Sequence, residues 1–395
     1  MRHAWVAAGA VTAAVITVVL RIWPGHFVDL AVYRLAARAV LDETRRPEQL
    51  YSLRSGALRL PFTYPPFAVL PMLPLAYGKW VVDKLIARVL LALALAALWH
   101  ASLRSVGRRV GWPLLAVLTA ASLVLEPVIH NFWTGQLSLV VVLLVVVDLP
   151  GVMPERYRGV LTGIAAALKL TPLVFVVLLA LTRQWHALAR MLGAFVAAAA
   201  VGFVVFPAES SAYWTSYVQR FSRVGSPWSL DDQSVRGTLA RLGLGQHGAD
   251  GTLTLLAAVV VTAGAAVLLG ALWWRRGERL LAVSLAGLAS LLASPISWVH
   301  HWCWIIPLLV ALTRLSYVAV GLVTIPYCVT LQISNHLLWR HTVHHWGAAQ
   351  NLVGNGYVWA ALLVVAYAGW RLLRGCSPRS APPSGAPAVP TTLTP

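Results

Sequence analysis

Apolar residues in this chain come in runs rather than in alternation. Ala4–Leu20, Trp80–Leu98, Met191–Phe206, Leu253–Trp274 and Tyr317–Ile333 are such runs. Each approaches the roughly 20 apolar residues that cross a bilayer as a helix. Two kinds of polar segment separate them. One is short and arginine-rich: Arg104/Arg108/Arg109, Arg156/Arg158, Arg183/Arg190, Arg275/Arg276/Arg279, Arg314 and Arg371/Arg374/Arg379. The other is longer and mixes Asp, His, Trp, Asn, Gln and Ser, at 24–61, 127–136, 207–250, 294–302 and 335–353. Positively charged loops stay in the cytoplasm, so the first set is expected inside and the second outside. Two apolar stretches upset this parity. Segment 62–76 holds Pro65, Pro66, Pro71 and Pro74, and segment 159–182 carries Lys169 and Pro172 at its middle. Both read as broken helices or re-entrant hairpins. Irregular backbone at membrane depth survives only where it is buried in protein or lines a cavity. A cavity is therefore expected near Tyr64-Pro65-Pro66 and Lys169-Leu170-Thr171-Pro172. The pattern predicts an all-α polytopic membrane protein with about ten to thirteen membrane segments, and no internal repeat is visible.

Composition reinforces the pattern. Of the 395 residues 59% are hydrophobic and 11% charged, whereas soluble domains carry about 45–50% apolar and about 25% charged residues. The net charge is +18. The arginines flank apolar runs and form no basic stripe with interleaved aromatics. They therefore point to anionic membrane lipids and orientation rather than to nucleic acid. Three scattered cysteines, Cys303, Cys328 and Cys376, suggest neither a disulfide framework nor a metal site. The first apolar run ends at Arg21-Ile22-Trp23 without a small-residue cleavage site, so it reads as a retained helix. Residues 1–375 form one integral membrane domain in this reading. The tail 376–395 is Pro/Ser/Thr-rich and is expected to be disordered in the cytoplasm.

Chemistry-bearing residues sit in the outer segments and the broken ones. Asp29 follows the first run, where a short helix along the membrane surface is expected. In that helix Leu30, Ala37 and Leu41 would face lipid, and Arg34 and Arg38 another side. Asp29 is suited either to cap the helix or to act as a general base beside a cavity. Phe62-Thr63-Tyr64-Pro65-Pro66 reads as an extended stretch that starts a helix, with Tyr64 as an interface anchor or a substrate contact. His130-Asn131-Phe132-Trp133-Thr134-Gly135-Gln136 reads as a polar hairpin in which Asn131 and Gln136 suit sugar hydroxyls. Lys169, in mid-segment, marks an anion or proton site. His300 and His301, in Ser294-Pro295-Ile296-Ser297-Trp298-Val299-His300-His301-Trp302, are interfacial histidines or donors to a phosphate. Asp231-Asp232 leaves a divalent metal open as a cofactor on weak grounds. His341 and His345 share a helical face with His336 and His344 nearby, but lack the Glu of a zinc-protease motif.

The order of these elements is more specific than any one of them. Asp29/Val32/Tyr33, Phe62–Pro66, Gly135-Gln136, Gly163-Ile164/Leu168-Lys169/Pro172, Asp232-Gln233-Ser234/Gly237 and Ser294–His301 follow one another from about residue 25 to 310. As an ordered set they resemble glycosyltransferase family 87, the polyprenyl-phosphate-mannose-dependent α-(1→2)-mannosyltransferases. Ser138 and Asp232 stand where that family often has Asn, which touches acceptor or sugar choice before it touches reaction type.

The resemblance implies a GT-C type fold with an interfacial helix in the first outer loop. It implies Asp29 as catalytic base, a polyprenyl-phosphate sugar donor, and a glycolipid or mannoside acceptor on the extracytoplasmic face of the plasma membrane. Lys169, His300 and His301, with Arg59 and Arg236, are the expected donor-phosphate ligands. Tyr33, Tyr64, Asn131, Gln136 and Trp298 are the expected substrate contacts, and no metal ligand is assigned. An arabinofuranose donor and a lipid-linked sugar transporter are the alternatives. The transporter is disfavoured because transporters often carry the internal repeats that this chain lacks.

Overall fold

The computed structural model describes residues 25–42, 44, 50–56, 58–220, 223–244, 248–338 and 346–375. The first apolar run, the tail 376–395, His341, His344 and His345 lie outside the described residues, as does the side chain of His336. The described chain is helical apart from a two-residue hairpin, β1 (Arg54–Ser55) against β2 (Leu60–Pro61). Three described helices have both the length and the apolarity of a full span: Trp185–Val205, Asp250–Arg275 and Gly356–Leu373. Trp112–Val124 and Glu126–Thr134 make a fourth if their 86° bend is counted within one span. Shorter apolar helices include Pro66–Ala76, Ser138–Asp148, Thr171–Leu181, Arg279–Ala293 and Val299–Leu312. Several of these segments therefore stop part-way and leave backbone ends inside the protein.

Which helices face lipid is written in their exposure. On Gly248–Arg275 the side chains of Leu253, Leu256, Val260, Val261 and Leu268 are exposed. On the 26-residue Trp80–Ser105, Leu85, Ile86, Val89, Leu90 and Leu93 are exposed. Water would penalise such stripes, but lipid does not. Arg279–Ala293 is the opposite case, since every residue from Leu280 to Leu292 is buried. A helix that is apolar all round belongs at the centre of the bundle. There it packs on Gly248–Arg275, Ile305–Leu312 and Val174–Leu181.

The two kinds of loop gather separately. Arg314 pairs with Glu278 through two nitrogens at 2.8 and 2.9 Å. Arg275 donates to the Leu181 carbonyl, Arg276 to Leu372, Arg371 to Leu315 and Arg108 to the Tyr317 hydroxyl. The turns around Arg108, Leu181, Arg275–Arg279, Arg314 and Arg371 thus meet one another. The polar segments join one another elsewhere, through Gln136–His300, Asn131–His300 and an isolated antiparallel bridge between Asp232 and Trp298.

Two local expectations are corrected. Helix α1 (Val28–Ala39) buries Leu30 and Ala37 against protein, not lipid, and only Leu41 beyond it is exposed. Arg34 and Arg38 fasten α1 to the turn after Pro66–Ala76, at the Gly78 and Ala76 carbonyls, and Arg34 also lies 3.6 Å from Asp83. The segment 127–136 is a helix, α2 (Glu126–Thr134), closed by Gly135-Gln136, rather than a simple hairpin. The polar segment 207–250 contains the short helices Pro207–Ala212 and Val235–Arg241.

Candidate active site

Asp29 does not cap α1. The capping position is Phe27, held at φ 52°, and Asp29 stands in the first turn beyond it. Phe27 reaches that conformation because its N–H donates to the Trp133 carbonyl at 2.7 Å, and its ring is fully buried beneath Arg88. One backbone bond therefore sets α1 against α2. Gly135 makes the contact tight. Its φ is 74°, and a Cβ there would stand 2.8 Å from Leu30 Cβ. A side chain would be strained twice, by the left-handed backbone and by the collision.

This junction delivers Asp29, Thr134 and Gln136 to one wall of a cavity of about 690 Å³. Thr134 and Gln136 lie beside the Asp29 carboxylate and favour its charged form, and the Thr134 hydroxyl donates to the His130 carbonyl at 2.9 Å. Burial pushes the Asp29 carboxyl above the ordinary carboxylate range, and Thr134, the Lys169 charge and Gln136 act in the opposite direction. Desolvation disfavours the anion and so makes it a better proton acceptor.

Gln136 is the hub. Its Oε1 accepts from the Tyr33 hydroxyl at 2.5 Å, the Tyr64 hydroxyl at 2.7 Å and the Leu137 N–H at 3.0 Å. Three donors to one carbonyl fix the flip of the amide. Its NH₂ then serves Asp29 and His300 Nε2, the latter 3.2 Å away. Since the amide nitrogen only donates, His300 Nε2 accepts, and the ring carries its proton on Nδ1. The Tyr33 and Tyr64 hydroxyl oxygens lie 3.0 Å apart, with both protons directed at Gln136.

Lys169 enters from a break. Helix Val160–Leu168 stops at Lys169, whose backbone is extended at φ −154°, ψ 125°. A 3₁₀ turn Thr171–Leu173 then restarts the chain. Pro172 within that turn disfavours a continuous helix. The ammonium group bonds Ser138 Oγ at 3.1 Å and sits over the Tyr64 ring. Ser138, a departure from the family pattern, is thus the partner of the cavity's lysine.

The cavity brings together Asp29, Tyr64, Gln136, Lys169, Trp298, His300 and His301 among the residues singled out in sequence. His301 Nδ1 is buried with no hydrogen-bond partner. The other expected phosphate and substrate ligands lie elsewhere. Asn131 is fully buried, and its amide donates to the Pro127 and His300 carbonyls and to Cys303. It holds the histidine segment in place. Tyr33 acts through Gln136 and is not among the lining residues. Arg59 is exposed in the β1–β2 turn, and Arg236 also lies off the cavity wall.

Asp232 is a fastener. It is fully buried, accepts the Ser297 N–H at 2.8 Å on Oδ1 and the Ser234 hydroxyl at 3.1 Å on Oδ2, and does not line the cavity. Asp232 therefore serves loop architecture. Its neighbour Asp231 does line the cavity. Among the described residues no group of three or more His, Cys, Asp or Glu side chains is placed to share a metal ion.

Sequence reasoning missed Tyr213, Tyr217, Arg220 and Arg223, which line the cavity's far side. Their helical spacing of four, three and three residues after Pro207 was the available signal.

A bundle of apolar helices around a polar cavity lined by carboxylates, a lysine and histidines suits a membrane-bound group-transfer enzyme. The chain belongs to glycosyltransferase family 87, whose profile matches residues 62–295; this is a membrane family of GT-C type. It is 33% identical over 373 residues to a polyprenol-phosphate-mannose-dependent α-(1-2)-phosphatidylinositol mannoside mannosyltransferase of Mycolicibacterium smegmatis, covering 87% of this chain and 83% of the relative. The protein of the same description from Mycobacterium tuberculosis is 32% identical over 402 residues, with 92% and 89% covered. A phosphatidylinositol pentamannoside mannosyltransferase of Mycobacterium tuberculosis is 34% identical over 292 residues, with 72% and 66% covered. No solved structure matches the chain.

Proposed function

We propose that this protein transfers mannose from a polyprenyl-phosphate donor to a phosphatidylinositol mannoside, forming an α-(1→2) bond on the extracytoplasmic side of the plasma membrane. The observation that carries this reading is the pairing of Asp29 with Lys169 in one cavity at the head of α1. The sugar phosphate already contains its leaving group. The protein must accept a proton from the acceptor hydroxyl and hold the departing phosphate. Asp29 takes the proton as the oxygen attacks the anomeric carbon. The bond to the phosphate breaks with its electron pair, and Lys169 and His301 receive the anion by charge and hydrogen bonding. One displacement inverts the anomeric centre, from β-phosphate to α-glycoside. Gln136, Tyr33 and Tyr64 are positioning residues that hold Asp29 and His300 in register. Trp298 offers a face for a sugar ring.

The test is direct. Purified protein is supplied with polyprenyl-phosphate mannose and a phosphatidylinositol mannoside, with Asp29→Asn as control. A new α-(1→2) mannoside formed by the wild type alone is the expected result. Transfer from polyprenyl-phosphate arabinofuranose instead, or normal transfer by Asp29→Asn, would refute the reading. The transporter alternative predicts movement of the lipid-linked sugar without a glycosidic product.

A further inference from the structure

The cavity carries a second cationic site that the chemistry above does not use. Arg220 and Arg223 both line it, and both stack on Tyr217, with guanidinium carbons 5.3 and 4.4 Å from the ring centre. Arg223 also lies over Tyr51 and donates to the Tyr51 carbonyl. Burial, with the like charges of Arg54 and Arg220, disfavours the charged Arg223. The ion pairs Arg34–Asp83, Arg158–Glu155 and Arg314–Glu278 do not involve this cluster. Arg220 is exposed and Arg223 partly buried, and although Asp231 lines the same cavity it forms no ion pair with them; an anion that joins neighbouring guanidinium groups relieves their mutual repulsion. Planar guanidinium forks, pre-oriented by stacking on an aromatic ring, suit a phosphodiester.

This site is separate from the leaving-group site. Lys169 sits over Tyr64 at 5.8 Å. From Tyr64 the rings run to Phe62 and on to Tyr51, with centroid steps of 5.6 and 5.9 Å, and Arg223 lies 6.0 Å beyond Tyr51. The charges that reach Arg223 are those of Arg54 and Arg220, while those that reach Asp29 include Lys169. Lys169 is not among the charges that act on Arg223, nor Arg223 among those that act on Lys169, so the two cationic groups belong to different parts of the cavity. A reaction that brings two lipids to one cavity brings two phosphates, one on each.

We propose that Arg220 and Arg223 form an acceptor subsite that binds the phosphodiester of the acceptor glycolipid, leaving the donor phosphate to Lys169. This rests on the transferase reading above. The test uses the full chain in nanodiscs of zwitterionic lipid, with polyprenyl-phosphate mannose as donor. Two acceptors are compared, a phosphatidylinositol mannoside and a neutral alkyl α-mannoside. In Arg220→Gln/Arg223→Gln the ratio of kcat/KM for the anionic over the neutral acceptor should fall about tenfold or more, through KM of the anionic one. Arg220→Lys/Arg223→Lys, which keeps charge but loses the fork, should fall in between. An equal loss on both acceptors, a rise in donor KM, or an acceptor effect that appears only in nanodiscs of anionic lipid would overturn the assignment. The neutral acceptor also reports folding, since an unfolded variant loses both activities and fails the charge-retaining comparison. Wild-type protein that transfers to neither acceptor refutes the transferase reading itself. Wild-type transfer with no acceptor split refutes this inference alone.

Discussion

Asp29 and Asp232 sit in two different regions and are raised above the ordinary carboxylate range by the same cause, burial. Their surroundings differ. Asp29 keeps part of its surface open to the cavity, with one hydroxyl, one amide and a nearby ammonium group as company. Asp232 has no exposed surface. Its oxygens are taken by Ser297 and Ser234, and Arg241 closes the region by donating to the Asp232, Ser229 and Pro227 carbonyls and to Asn355. A carboxylate whose acceptor sites are taken by its own loop and a neighbouring one holds the two together. A carboxylate with open sites, facing space for a substrate, can take a proton. Burial raises the proton affinity of both, but only the open one can act on a ligand.

Four outcomes break or sharpen this contrast. The largest is expected from Asp29→Asn, which keeps the shape and removes the proton acceptor. It should lower kcat by about 10²–10⁴-fold, read as product formed in single-turnover assays, with the thermal midpoint close to wild type. Next is Lys169→Met, which should cost about 10²-fold in kcat, as loss of one donor to a developing anion does. If its effect lay wholly in KM, Lys169 would be a binding group and not a leaving-group partner.

Arg241→Ala is expected to act in the other sense. Stripping a bonded charge from a buried network costs about 3 kcal/mol or more of stability. Thermal unfolding in detergent should show it, while the folded fraction turns over normally. A large fall in kcat with unchanged unfolding would place the Asp232 region in the chemistry.

The smallest effect concerns pH. A base must be unprotonated, so activity should fall as pH drops through the Asp29 pKa, above the usual carboxylate range. The Thr134 hydroxyl stabilises the charged form. Thr134→Val should therefore raise that pKa and move the acid limb of kcat/KM to higher pH, with a modest change at the plateau. An acid limb that moved down, or stayed fixed, would assign it to another group.

The membrane character was legible because a run of apolar residues is a local property, as in Leu253–Trp274 or Tyr317–Ile333. The breaks at Lys169 and near Pro65-Pro66 were equally legible, because a proline or a mid-run lysine announces itself to its neighbours. The ordered motifs from Asp29 to His301 named the family. What the sequence could not separate was one polar residue's task from another's. Asn131 and Gln136 stand in one motif, yet Asn131 is locked to carbonyls of the histidine segment and Gln136 touches the cavity. Asp232 looked like half of a metal pair and is bonded to Ser297, 65 positions away. Tyr33 depends on Gln136, 103 positions away. A carboxylate or amide has the same formula wherever it stands. Whether its lone pairs are free or occupied is decided by partners that only the folded chain brings within 3 Å, and that separation of roles belongs to the tertiary structure.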